Sequence, residues 1–227
     1  MQICKPAGDI TVHRRKRAAK GQGTLLRREI LDAAAGILAD TGSEDAVSIR
    51  AVAERAGVST PAIYMHFQDK ESMIMAVCTE VFDDLDRRLQ DASAGLDDPV
   101  EVLRQQGIAY VRFALERPEH YRIVFMQRSM HSRATALALD PISTTVFQHL
   151  LATVQSCQDA GIFPEGDSVP IALGLWSVAH GLASLIIVKP YMPWPDVEEF
   201  ADLILKMARL GMSVFDGASD PSHKSHK

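Results

Sequence analysis

Apolar residues recur along this chain at intervals of three and four, the spacing that builds one helix face, and an all-α fold is the expectation. The first helix runs from Thr24 to Ala39, with Leu26, Ile30, Ala33, Ala34, Ile37 and Leu38 on one side and Thr41-Gly42 as its stop. In the second, Ile49, Val52, Ala53 and Ala56 fall at i, i+3, i+4 and i+7, while Arg50, Glu54 and Arg55 face solvent. Ser48 is placed to cap it. Gly57 breaks the pattern as a tight turn requires, and Val58 plugs the angle between two helices. Ser59 or Thr60 then caps a third helix, which has Pro61 in its first turn and turns Ile63 and Phe67 inward. A fourth helix, capped by Asp69, runs from Lys70 to about Gln90 along the seam Ile74, Val77, Val81, Phe82, Leu85 and Leu89.

After a break at Gly95 to Pro99, helical spacing resumes at Val100, Leu103, Ile108, Val111 and Leu115 and stops at Arg117-Pro118. A long helix from Pro141 to Ala160 places Val146, Phe147, Leu150, Leu151 and Val154 inward and ends at Gly161. Ile171 to Val188 is almost uninterrupted in apolar character, bracketed by Pro170 and Pro190. That length only just reaches the spanning threshold, and Ser177, His180 and Ser184 interrupt it. A helix buried within the protein accounts for it, and no membrane partner is expected. The last helix, Pro195 to Phe215, is apolar over more of its surface than one monomer face needs.

The exposed side of the third helix, Thr60, Pro61, Ala62, Tyr64 and Met65, is poor in charge and suits the base edges of a major groove. Gly57, Val58, Ser59, Tyr64, His66, Phe67 and Lys70, in that order and spacing, resemble the signature of the TetR family of bacterial transcriptional regulators. The resemblance implies a DNA-contacting set. Ser48 presents a helix N-terminus to phosphate, Ser59 belongs to the turn, Thr60, Pro61 and Ala62 face bases, Tyr64 and His66 clamp phosphates, and Lys70 adds a basic contact. Pro61 and Ala62 offer no side-chain hydrogen bonds, so they read only shape or a thymine methyl. Met65 departs from the basic residue common at its position in the family. The run His13-Arg14-Arg15-Lys16-Arg17 ahead of the first helix is a flexible arm; it is either a DNA tether through residues such as Arg17 or a solubilising tail.

Charge supports a head and a body of different kinds. Residues 1–72 hold 11 Lys and Arg against 9 Asp and Glu, net +2, leaving 13 and 20 of the chain's 24 and 29 for the remainder, net −7. A mildly basic head on an acidic body suits site-specific binding rather than indiscriminate coating of nucleic acid. Cys4, Cys78 and Cys157 are odd in number and far apart, which fits the reducing cytoplasm, and the polar N-terminus lacks the apolar core of a secretory signal.

The stretch Arg117 to Met126 and the set Trp176, His180 and Gly181 resemble the TetR subgroup with a tryptophan, histidine and glycine motif in its C-terminal domain. The division expected is a basic arm (1–23), a helix-turn-helix head (24–70), a helical ligand-binding and dimerisation body (71–216) and a polar tail (217–227). Trp176 and His180 share a helix face; with Phe113, Tyr121, Met126, Met130 and Phe147 they are expected to line an apolar cavity for a small apolar effector. His180 alone reads equally well as a satisfied core histidine. The resemblance also implies a homodimer, its last two helices pairing with their copies through small residues such as Ala201, Ala208 and Gly211. The partner is then a palindromic double-stranded operator. No nucleophile elbow, phosphate loop, dinucleotide fingerprint or metal-ligand spacing is present, so no catalysis, cofactor or metal is expected. The competing expectation is a helical ligand-binding protein or enzyme retaining an idle head.

Overall fold

Side-chain caps set where most of the helices begin, and the apolar seams decide which face each one buries. A computed structural model of the chain describes residues 23–126 and 145–214, which contain helices and no strand. The basic arm with Arg17, the segment holding Met130, the start of the Pro141 helix, Phe215 and the polar tail lie outside the described residues. The chain divides into two units, one ending at Val77 and one beginning at Cys78.

In the N-terminal unit, α1 (Gly23–Thr41) buries Ile30, Leu31, Ala33, Ala34, Ile37 and Leu38. It runs slightly past its expected end, with the Thr41 hydroxyl donating to the Ile37 carbonyl at 2.7 Å. A 3-10 turn (Glu44–Ala46) leads to α2 (Ile49–Ala56), whose cap is Ser48: its Oγ accepts from the Ala51 N–H at 3.1 Å. Gly57 closes α2 at φ 66°, and the Val58 N–H folds back onto the Ala53 carbonyl at 2.9 Å. The left-handed residue and the back-bond together turn the chain into α3 (Thr60–Tyr64). Neither expected cap of α3 forms; Ser59 holds the cap position without a side-chain bond, and Thr60 is already helical. The α1 helix packs on the 3-10 turn and on α2, and α2 packs on α3. Val47, Val52, Ile63 and Phe67 are buried in this unit.

The next helix, α4 (Lys70–Ser93), starts on a reciprocal cap. Asp69 Oδ1 accepts from the Ser72 N–H at 2.7 Å, and Ser72 Oγ accepts from the Asp69 N–H at 3.2 Å. The Ser72 backbone hydrogen bond, aided by its hydroxyl, holds the Asp69 carboxyl below its usual range.

The C-terminal unit continues with α5 (Pro99–Glu116), α6 (Pro118–Phe125), α7 (Thr145–Asp159), α8 (Ser168–Val188) and α9 (Val197–Ser213). The α5 helix packs against all four of the others, so its two buried faces organise this unit. Asp98, Asp167 and Asp196 cap α5, α8 and α9 through their carboxylates. Pro170 lies inside the first turn of α8 rather than ahead of it, where its missing N–H has no helical partner to lose. By length and composition α8 is the one described helix that qualifies to cross a membrane. Yet Ile171, Ala172, Leu175, Leu182 and Ile186 along it are buried, and α5, α7 and α9 cover it.

The expectation for α9 needs a correction. Ala201 is only 1% exposed and packs with Val111, Leu182 and Ile186 inside the unit, so it does not belong to an outward seam of small residues. Ala208 packs against the cluster around Cys157 and Leu175, and only Gly211 of the three is exposed. What α9 turns outward is a stripe of large residues, Leu203, Met207, Leu210 and Val214, and α8 adds Leu185 and Val188.

Gly57→Ala tests the inter-helix turn. Nothing lies within 4 Å of an added Cβ, so the cost is conformational alone. A loss of about 1 kcal/mol is expected, seen as a lower urea midpoint at unchanged slope.

Candidate nucleic-acid interface and ligand cavity

The recognition surface of the head stands on a buried root. Ile63 and Phe67 are fully or nearly fully buried, with the Arg27 guanidinium 5.1 Å over the Phe67 ring. The residues between and before them are left outward: Ser48, Ser59, Thr60, Pro61 and Tyr64 are exposed, while Ala62, His66 and Lys70 are partly so. Tyr64 is 59% exposed and Met65 83%, large apolar surfaces that no described side chain of the head covers. A Cβ placed on Gly23 would lie 3.9 Å from His66 Cε1, so the chain enters α1 beside that imidazole. Ser48 sits at the N-terminal end of α2, where backbone N–H groups favour an anion; at Lys70 the N-terminus of α4 is already capped by the Asp69 carboxylate.

The C-terminal unit holds a cavity of about 300 Å³, partly open to solvent. Phe82 and Leu89 of α4 form part of its wall; Leu103, Gly107 and Tyr110 come from α5 and Phe125 from α6. Phe147 and Leu150 of α7, Leu175, Trp176 and Ala179 of α8 and Leu205 of α9 complete the apolar lining. An added Cβ at Gly107 would come within 2.8 Å of Leu205 Cδ1, so an alanine there would push the Leu205 side chain aside.

Of the residues expected to line this space, Phe147 and Trp176 do. Tyr121 and His180 stand one layer behind. Phe113 is buried elsewhere, under the Arg88 guanidinium at 5.7 Å, because it fills the seam between α4 and α5. Met126 caps the end of α6, where the chain leaves the helix, and is 38% exposed. Met130 lies outside the described residues.

Sequence reasoning missed Tyr110, which joins the two layers. Trp176 Nε1 donates to Tyr110 Oη at 3.2 Å; Tyr110 Oη lies 3.2 Å and Tyr121 Oη 2.6 Å from His180 Nδ1. His180 Nε2 is 3.3 Å from Ser184 Oγ. Burial lowers the His180 pKa and raises those of both tyrosines, Tyr110 the more strongly, so all three groups are neutral. A neutral imidazole accepting at Nδ1 and donating at Nε2 satisfies every partner. The signal available in the sequence was a tyrosine on an otherwise apolar helix face, which needs a buried partner for its hydroxyl. Among the described residues no cluster of three or more His, Cys, Asp or Glu is arranged to hold a metal ion. Burial pushes the Cys157 thiol up to about 11, which leaves it a neutral, unreactive core residue at ordinary pH.

Residues 30–77 match the family described as bacterial regulatory proteins, tetR family, and residues 103–208 match the tetracyclin repressor-like C-terminal domain. The chain belongs to the TetR family. It is 23% identical to the HTH-type transcriptional regulator YobS of Bacillus subtilis over 84% of this chain and 94% of that one. It is 31% identical to the HTH-type transcriptional repressor KstR2 of Mycobacterium tuberculosis, over 47% of this chain and 52% of KstR2. A Rhodococcus sp. RHA1 protein of unknown function has a similar structure, with a TM-score of 0.70, 25% identity and coverage of 88% and 100%. FadR of Bacillus halodurans, with a TM-score of 0.70, 16% identity and coverage of 81% and 98%, shares the TetR fold.

Because burial holds the native His180 pKa below 6.5, the unfolded chain binds a proton that the native TetR body refuses. The associated stability is complete above about pH 6.5 and falls as pH drops from there towards the native pKa. His180→Gln is therefore expected to flatten the acid limb of urea stability between about pH 7.5 and 5.5; parallel curves assign the loss to another group.

Proposed function

We propose that the chain is a homodimeric, sequence-specific DNA-binding regulator, a repressor released from a palindromic operator when a small, mainly apolar effector occupies the cavity. The observation that carries this reading is the charge-poor surface of Thr60, Pro61 and Tyr64, held outward by the buried Ile63 and Phe67. Ser48, Ser59, Tyr64, His66 and Lys70 make the phosphate and turn contacts, and Thr60, Pro61 and Ala62 meet the bases. Arg17 is assigned to the phosphates by its charge alone. Such a regulator works in the cytoplasm, where the DNA is.

Two copies are needed to read a palindrome, with recognition helices about one DNA turn apart, roughly 34–36 Å. The exposed stripe of Leu203, Met207, Leu210 and Val214, with Leu185 and Val188 beside it, supplies an apolar face for the second copy. Trp176, His180 and Gly181 support a body of the tryptophan-histidine-glycine type. Among the relatives, KstR2 and AcnR carry the name repressor and FasR the name activator; the commoner name favours repression.

The helix that begins at Lys70 also supplies Phe82 and Leu89 to the cavity wall. An effector that displaces α4 thereby acts on the spacing of the recognition helices. A coupling of about 1–3 kcal/mol weakens operator affinity roughly 5- to 150-fold, enough for induction.

Selection of genomic fragments by the purified full chain is expected to enrich a palindromic site, and recovery of no such site overturns the reading in favour of a ligand-binding protein with an idle head. On that site, Lys70→Ala should weaken binding to all sequences alike and reduce the salt slope by about one; an unchanged slope removes Lys70 from the interface. Trp176→Ala should keep operator affinity while altering release by effector, and a variant that fails to fold instead assigns Trp176 to the core.

A further inference from the structure

The charged part of the cavity wall is one-sided. Arg104 is fully engaged, with Nε and Nη2 donating to Glu101 at 2.8 and 2.7 Å and Nη1 to Asp202 at 2.9 Å. Lys206 and Arg209 also line the cavity, one helical turn apart on α9, and neither has a hydrogen bond or ion pair with any described residue. Among the described residues, the three cations of the lining face two carboxylates, Asp202 in the lining and Glu101 beside Arg104, which leaves one positive charge over. His149, also in the lining, is turned to Asp86 at 2.6 Å, whose other oxygen accepts from Gln90 at 2.7 Å.

Arg209 is half-buried; at the buried Cys157 thiol its charge opposes the rise that burial causes, while the Asp98 carboxylate adds to that rise. Elsewhere the wall offers no free polar group. The indole N–H of Trp176 is taken by Tyr110, and the Tyr110 hydroxyl is shared with Tyr121 and His180. Lys206 is exposed and Arg209 half-buried, so a purely apolar guest leaves both charges with water as their partner, whereas an acidic group on the guest supplies one.

We propose that the effector is an amphipathic monoanion, its single carboxylate or comparable acidic group held by Lys206 and Arg209 and its hydrocarbon body lying against Phe147 and Trp176. A cavity of about 300 Å³ has room for a hydrocarbon body. The proposal rests on reading the cavity as the effector site.

The test compares decanoate, decan-1-ol and decyltrimethylammonium, equal in chain length and different in head charge, by quenching of tryptophan fluorescence in the full chain. Decanoate is expected to bind about tenfold tighter than decan-1-ol, as one charge-assisted contact implies, and decyltrimethylammonium to bind least. Lys206→Gln/Arg209→Gln should abolish the preference while still binding decan-1-ol, and Arg209→Lys, which keeps the charge, should retain it. Equal binding of decanoate and decan-1-ol by the native chain, or a preference that survives in the double variant, overturns the proposal and leaves the cavity as a site for neutral guests. Binding of none of the three overturns both the proposal and the effector reading of the cavity, while operator selection is decided separately by the DNA experiment.

Discussion

Hydroxyls and an imidazole placed inside a helical bundle must find one another, and the C-terminal unit depends on their doing so. Tyr110 on α5, Tyr121 on α6 and Trp176 and His180 on α8 meet in one hydrogen-bonded set, closest between Tyr121 and His180 at 2.6 Å. Each group would be costly to bury alone, on the order of 1–3 kcal/mol. Together they fix the rotation of three helices about their axes. The aromatic rings around them, Phe125 tilted 4.9 Å from Tyr121 and Tyr121 stacked 5.6 Å from His180, make the layer rigid. A rigid layer behind Trp176 is what allows open space in front of it.

The head solves a different problem with less material. A helix as short as α3 has little stability of its own, so its orientation comes from Ile63 and Phe67 beneath it and from the turn at Gly57. The same economy leaves its outward face free of structural duty. Thr60, Pro61 and Tyr64 contribute nothing to the core, and the chain can choose them for what they touch outside.

Helix positions and the head were legible in the sequence because their signals are local: spacing of apolar residues, Ser48 and Asp69 as caps, and a glycine where the backbone turns left-handed. The cavity was legible only in part. Phe147 and Trp176 line it, but Phe113 and Met126 do not, since hydrophobicity marks a residue for the interior without saying whether it meets a neighbour or a void. Tyr110, Lys206 and Arg209 escaped notice because their meaning depends on helices far apart in the chain. Ala201 misled in the opposite sense: a small residue suits close approach inside one unit as well as between two copies.

The missing side chain at Gly107 carries a last consequence. Leu205 fills the place a methyl group would occupy, and both residues border the empty space. Guest size therefore depends in part on one backbone position in the middle of α5, one turn before Tyr110 and packed on the residue that precedes Lys206. Selection for bulkier or slimmer molecules that acts here also moves the residue beside Lys206, so the chemical type and the dimensions of the guest are bound to change together.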